Sequence, residues 1–413
     1  MATTPHPKVF QPIPMTIQPN LVVLALAQGL LTLNNVTLIA INGLQGLALA
    51  RDKSLATLPV AAFVAGSALA TLPASFFMQR HGRRAGFRLG AVLGLGGGLL
   101  ALAGSIRQDF LLLCLGSLMS GFYNAFGQQY RFAAADAVHP EWQSRAISLT
   151  LAGGILGGVA GPELGKWTRD LLEPLFVASY GSLTLFTLLA WGVLGRLHPP
   201  PPTPSTTPKT PTGPFWPILT RPVYLVAVLA ATTGYGVMNL LMSATPLVMQ
   251  SCHLPFDDAA FVLEWHVLGM FVPSFFTGSL IHRFGVSRIL LVGVALMFGC
   301  NAVALSGQSL SHFWWALLLL GVAWNFLYVG GSSLLITTCQ PEEKAMAQGF
   351  NDLMIFSVQT MTALSSGMIA NQSGWEGLNQ GALPATGITA LALLWLHRHQ
   401  GNRNPHRKHG EPT

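Results

Sequence analysis

The chain has 413 residues, 51% of them hydrophobic and only 9% charged, with a formal net charge of +7. Soluble domains carry roughly 25% charged residues, so an ordinary water-soluble enzyme is excluded, and no basic folded domain is present to hold nucleic acid. No glycine-rich loop ends in Lys-Ser or Lys-Thr, which argues against ATP as a source of drive.

Residues 1–20 are rich in Pro and Thr and lack the basic-then-apolar layout of a cleaved signal. The first helix is therefore expected to act as its own insertion signal. About 20 apolar residues cross a bilayer as a helix, and the uncharged intervals predict spans at 21–48, 55–78, 87–106, 109–135, 145–167 and 174–195. Gln28, Asn35 and Asn42 on the first span are seven apart and share a face, which makes them a candidate substrate wall. The turn Gln79-Arg80-His81-Gly82-Arg83-Arg84 follows the second span. The fourth span carries Asn124, Gln128 and Arg131, with Asp136 at its end. The fifth reads Gly157-x-x-x-Gly161-Pro162-Glu163-x-Gly165.

A Pro-, Thr- and Ser-rich stretch at 198–220 is expected to be an extended linker. It separates an amino-terminal bundle, 1–197, from a carboxy-terminal one, 221–413. Six further spans are predicted at 222–249, 259–281, 287–306, 311–338, 344–370 and 376–396. They carry Asn239, Glu264 and His266, Asn325 and Tyr328, and Asp352 in turn, and Arg283 and Gly285 lie in the turn after the eighth. The four cysteines, Cys114, Cys252, Cys300 and Cys339, are far apart, which suggests neither disulfides nor a zinc site. His397, His399, His406 and His409 form a His-bearing tail, read as a topology anchor; no metal and no cofactor are expected.

The halves align with each other. Tyr123-Asn124-Ala125-Phe126 matches Trp324-Asn325-Phe326-Leu327 at a lag of 201, Pro140-Glu141 matches Pro341-Glu342, Arg145-Ala146 matches Lys344-Ala345, and the Arg-x-Gly turns match at 203. Parallel repeats of this kind place a central site between two halves in one class of secondary transporters. Of the 22 Lys and Arg, only Arg51, Lys53, Arg107, Lys166 and Arg169 fall on one side of the predicted membrane. The basic side is the cytoplasmic one, so both termini and the linker are expected in the cytoplasm of a multi-pass protein of the inner or plasma membrane.

Over nearly its whole length the chain resembles the major facilitator superfamily. The segments Ser75 to Arg84 and Gly278 to Arg288 are similar to that superfamily's loop between helices 2 and 3 and its repeat between 8 and 9, although Ser75 stands for a Gly, and Gln79 and His282 for an Asp. The fifth span resembles the antiporter motif of drug and metabolite exporters. The resemblance implies an all-α membrane fold of twelve helices in two pseudo-symmetric six-helix bundles. It also implies a cavity lined by helices 1, 4, 7 and 10, and a gate formed by Arg80, Gly82, Arg83, Arg84, Asp136, Arg283, Gly285, Gly161 and Pro162.

Substrate contacts are expected from Gln28, Asn35, Asn42, Asn124, Gln128, Arg131, Asn239, Asn325 and Tyr328, with aromatic surface from Tyr123, Phe126, Tyr130, Tyr235 and Trp324. Arg131 either faces the cavity or snorkels to water. Ionisable groups within a bilayer are costly, so Glu264, His266, Asp352 and Glu163 are the proton-coupling candidates. Each has a structural alternative: a vestibule carboxylate, an interhelical hydrogen bond, a pair with Arg283, and a salt link to Lys166 or Arg169. The expected function is alternating-access transport of a small organic solute by a monomer, first as proton-coupled antiport for efflux. Proton-driven uptake of a metabolite or vitamin, uncoupled facilitation and a non-transporting receptor or scaffold are the alternatives.

Overall fold

Lipid offers no partner for a bare N–H or C=O, so each apolar span must close its own hydrogen bonds as a helix. The computed structural model describes residues 19–52, 55, 58–198, 216–340 and 343–402, and among them there is no strand. The first six spanning helices are α1 (Pro19–Leu49), α2 (Leu58–His81), α3 (Arg83–Arg107), α4 (Phe110–Gly127 continued by Tyr130–Asp136), α5 (Gln143–Ala152 continued by Gly154–Thr168) and α6 (Val177–Leu194). The second six begin with α7 (Pro222–Ser251), α8 (Phe256–Phe271 continued by Ser274–Phe284), α9 (Val286–Ser306) and α10 (Leu310–Thr338).

A last run, Lys344–Asn402, is 59 residues long, about 88 Å at helical rise and far more than one bilayer crossing. Gly374, at φ 62° and ψ −158°, breaks it. We number the two parts α11 (344–373) and α12 (375–402). Residues 199–215 of the expected linker, both chain termini, and His406 and His409 lie outside the described residues.

The internal duplication has a backbone signature. Gly82 and Gly285, 203 positions apart, take φ 85° and 88° with ψ 159° and 148°. That region is open essentially to glycine alone, and it turns the chain from α2 into α3 and from α8 into α9 without a loop. Close packing repeats as well. A Cβ on Gly121 would lie 2.1 Å from the Phe63 carbonyl oxygen, and one on Gly321 would lie 2.5 Å from that of His266. So α4 meets α2, and α10 meets α8, backbone to backbone.

Within the first bundle α1 packs on α5 and α6, and α4 on α2 and α3; within the second α10 packs on α7, α8 and α9. The bundles meet where α2 crosses α11 and α5 crosses α8. A Cβ on Gly349 would lie 2.9 Å from that of Ser75, and one on Gly278 would lie 2.5 Å from the Arg145 Cα. The Ser148 hydroxyl, which donates to the Ser274 carbonyl, also accepts from the Gly278 N–H at 3.0 Å. All these contacts gather near the end that carries the two basic turns.

Candidate functional site

The helical ladder of α4 breaks at Gln128 and Gln129, where Gln129 N donates to Phe126 O at 3.2 Å and Phe132 N to Gln129 O at 3.1 Å. These are bonds to the third preceding residue. The break leaves the Gln128 carbonyl available, and the Arg131 guanidinium takes it at 2.5 Å through Nη1. Arg131 Nε donates to Ser332 Oγ at 3.1 Å on α10, and Nη2 donates to the Asp352 carboxylate on α11. The rings of Phe132 and Tyr328 lie 4.3 and 4.5 Å from the guanidinium carbon.

Asp352 is equally well held. Asn351 Nδ2 donates to Oδ1 at 3.0 Å and Gln129 Nε2 to Oδ2 at 3.1 Å. The side chains of Arg131 and Asp352 are 1% and 3% exposed, so the pair is dry and joins the two halves. Removing either partner would strand a buried charge.

An amide chain leads away from this pair. Tyr328 Oη donates to Gln128 Oε1 at 2.9 Å, Gln128 Nε2 to Asn124 Oδ1 at 3.3 Å, and Asn35 Nδ2 to the same Oδ1 at 2.7 Å; Asn124 Nδ2 ends on Ser67 Oγ at 3.0 Å. Beside it stands a ring cluster. Tyr328 stacks on Trp324 at 5.0 Å, Tyr235 meets both edge-on at 4.9 and 5.2 Å, and Phe271 meets Trp324 edge-on at 5.9 Å. Trp324 is 1% exposed, and its indole N–H has no partner among the described residues. Tyr235, Gln128 and Asn35 are half-buried. A cavity of about 10 Å³, room for roughly one water, lies behind Asn35 between Asn34, Ser120, Tyr123, Tyr180 and Thr187.

Toward the basic end the network continues into a lock. Arg83 donates to Gln129 Oε1 at 3.0 Å, to Asp136 Oδ2 at 3.0 Å and across the halves to Gln348 Oε1 at 2.6 Å. Lys344 Nζ of the second half meets Asp136 Oδ1 at 3.3 Å. Gln129 therefore touches both the lock and Asp352. Arg84 donates to the Gly195 carbonyl, Arg80 is exposed, and Arg283 is exposed with its guanidinium 5.2 Å from the Phe284 ring.

Several expected roles do not match the geometry. Asp352 pairs with Arg131 and not with Arg283, because α11 turns its buried face to α4. Arg131 does not snorkel. The helix-1 stripe presents no single wall: Asn42 is buried against Ser117 at 2.9 Å and the Tyr180 hydroxyl at 2.9 Å, and Gln28 donates to Thr32 within its own helix at 3.2 Å. Asn325 donates to the Met270 carbonyl at 2.7 Å and Ser274 Oγ at 2.6 Å and accepts from Thr277 at 2.7 Å, so it clamps α10 to α8. Asn239 likewise ties α7 to α11 through the Gln359 carbonyl at 2.9 Å and Thr362 at 3.1 Å.

Of the other proton candidates, His266 is buried with Nδ1 on the Leu317 carbonyl at 2.7 Å, and Glu264 is exposed. Glu163 makes no ion pair with Lys166 or Arg169 among the described residues, and Arg169 lies 3.4 Å from its neighbour Asp170. In the α5 motif a Cβ on Gly157 would lie 2.2 Å from the Gly29 carbonyl oxygen and one on Gly161 would lie 2.9 Å from Val36 Cβ, while Pro162 is exposed. Sequence reading passed over Ser332, Gln348 and Phe271. The repeat offset of 201 that pairs Asn124 with Asn325 also pairs Arg131 with Ser332, and Gln348 precedes Asp352 by one helical turn.

Comparison with known proteins agrees with this architecture. The profile of the Major Facilitator Superfamily matches residues 24–263 and 226–412. The riboflavin transporter RfnT of Brucella anthropi is 39% identical over 377 residues, covering 91% of this chain and 95% of that protein. The uncharacterized MFS-type transporter YddS of Bacillus subtilis is 26% identical over 374 residues, 86% of each. Among solved structures, the transporter FucP in its outward conformation superposes with a TM-score of 0.75 at 16% identity, covering 92% of this chain and 99% of FucP. The human organic anion transporter MFSD10 gives 0.72 at 15%, with 93% and 100% covered. At such identities the structures speak to the fold.

Proposed function

The chain belongs to the major facilitator superfamily of transporters, and from that premise we propose that it carries riboflavin, or a vitamin with the same flat heteroaromatic ring, into the cell. The observation that carries this reading is the ring cluster of Tyr235, Trp324, Tyr328 and Phe271 beside Gln128, Asn35 and Arg131, in a chain 39% identical to a riboflavin transporter. A flavin has a broad flat face and an edge of alternating hydrogen-bond acceptors and a donor. Aromatic side chains stack on such a face, amides answer both kinds of edge atom, and the unpartnered Trp324 N–H is a further donor.

In this proposal the two halves rock about the cluster. The lock of Arg83, Asp136, Gln348 and Lys344 shuts the end with the basic turns, which we assign to the cytoplasm. A solute moves such an equilibrium only by binding one arrangement better than the other. We place the protein in the inner or plasma membrane as a monomer, because the polar network closes within one chain.

Expression in a bacterial strain that neither makes nor imports riboflavin tests the proposal. Growth at low external riboflavin and accumulation of the labelled vitamin are expected. No accumulation above the empty vector, with the protein present in the membrane, rejects the substrate. Proton-linked export is the second reading, on the resemblance of α5 to the antiporter motif. It has less support, since Gly157 and Gly161 serve contact with α1. Everted vesicles that load riboflavin when their lumen is acidified would favour export over uptake.

A further inference from the structure

We infer that Asp352 sets the charge preference of the site: by neutralising Arg131 it admits an uncharged flavin and refuses the 5′-phosphate of the same flavin. This rests on the riboflavin reading above. Among the described residues, Arg131 is the buried ionised group touching the amide and ring cluster, through Gln128 and Tyr328, and Asp352 pairs with it, so that each holds the other. Their remaining partners are neutral: Ser332, Gln128, Asn351 and Gln129. The cations Arg83 and Lys344 face Asp136 and Gln348 at the lock, on the far side of Gln129.

A phosphate arriving at the cluster has two positions open to it. It can stand beside the Asp352 carboxylate, where like charges repel strongly in a dry interior, or it can displace that carboxylate from Arg131 and leave a buried anion unpaired. A hydroxylated side chain meets neither obstacle. The guanidinium then serves as a hydrogen-bonding and ring-stacking surface with its charge cancelled.

The test uses purified full-length protein in nanodiscs and the quenching of flavin fluorescence on binding. Three probes are compared: riboflavin, riboflavin 5′-phosphate, and the neutral dimethyl ester of that phosphate. The wild type is expected to bind riboflavin and the ester alike, and the free phosphate at least about a hundred-fold more weakly. In Asp352→Asn the preference for riboflavin over the phosphate should shrink about ten-fold or more, and adding Arg131→Gln should restore it.

If the wild type binds the phosphate as well as riboflavin, or refuses the ester as it refuses the phosphate, size or nothing discriminates and the inference falls while the substrate reading stands. An unchanged preference in a monodisperse Asp352→Asn protein has the same consequence. Should that variant fail to fold, the three wild-type affinities still decide. If no probe binds the wild type, the substrate reading and this inference fall together.

Discussion

Arg131 gives up its water on burial and recovers hydrogen bonds from Ser332, the Gln128 carbonyl and Asp352. Desolvating two ions costs several kcal/mol each, and their attraction returns that only with good geometry and full satisfaction. Each single truncation, Arg131→Ala or Asp352→Ala, is therefore expected to lower unfolding stability by about 3–5 kcal/mol. The double truncation should cost clearly less than their sum. Thermal unfolding of the four proteins in one detergent measures the coupling, and additive losses would mean that the pair is not a unit.

Asn325 is the contrast. Its amide is spent on Met270, Ser274 and Thr277, so Asn325→Ala should cost about 1–3 kcal/mol of stability while the transport rate per folded molecule is retained. From sequence alone Asn124 and Asn325 look equivalent, because both stand at matching positions of the repeat. Which one faces the shared network depends on neighbours from other helices, and spacing along one helix carries no information about those.

At the scale of elements, the turns at Gly82 and Gly285 make a matched pair of predictions. Nothing lies within 4 Å of a Cβ built on either, so the requirement is conformational, and alanine at each should cost about 1–3 kcal/mol. Equal losses in the two single variants, read from unfolding midpoints, would show that the basic turns remain equivalent.

The start of α7 is pinned by Arg221, whose two terminal nitrogens donate to Glu343 at 2.7 and 2.8 Å. Partial burial pushes the Glu343 carboxyl up, but the Arg221 hydrogen bonds and the Gln340 N–H outweigh it and hold the group below its ordinary value. A carboxyl lowered on folding stabilises above its unfolded value and loses that contribution as pH falls through its folded one. The unfolding midpoint of Glu343→Gln should thus lie below wild type at neutral pH and converge on it below about pH 4. A gap that persists in acid would point to packing instead.

The helices themselves were legible, since lipid permits few alternatives to a 20-residue apolar helix. The interruption of α4 at Gln128 was not. Gly127 stands just before it, but Gly96, Gly97 and Gly98 leave α3 unbroken, so a glycine alone does not mark the place, and the ladder yields there to partners from α10 and α11.

For the whole molecule, the contact of α2 with α11 separates a rigid assembly from a moving one. Ser75 and Gly349 lie close enough that cysteines at both positions should form a disulfide with a small adjustment. The four native cysteines are free. Oxidation of the double variant should stop transport, and reduction should restore it; undiminished flux in the fully cross-linked protein would show that this end need not open. The twofold arrangement was readable in the matched turns and the nearly constant offset. The lock was only partly so: Asp136 was expected to meet Arg83 or Arg84 and meets Arg83, whereas Lys344 and Gln348 reach the lock from a distant part of the chain.

Arg131 and Ser332 are counterparts in the duplication, and they touch. Two equivalent points of a pair of related bodies meet only close to the line that relates them, and for parallel repeats that line runs along the membrane normal. Rocking turns the halves about an axis in the membrane plane instead, so a contact on that line still parts when it lies toward one end, and Arg131 and Ser332 both stand in the last third of their helices. The contact of Arg131 with Ser332 would then part each time the end with the basic turns opens, and substitutions that weaken it would change how fast the carrier turns over.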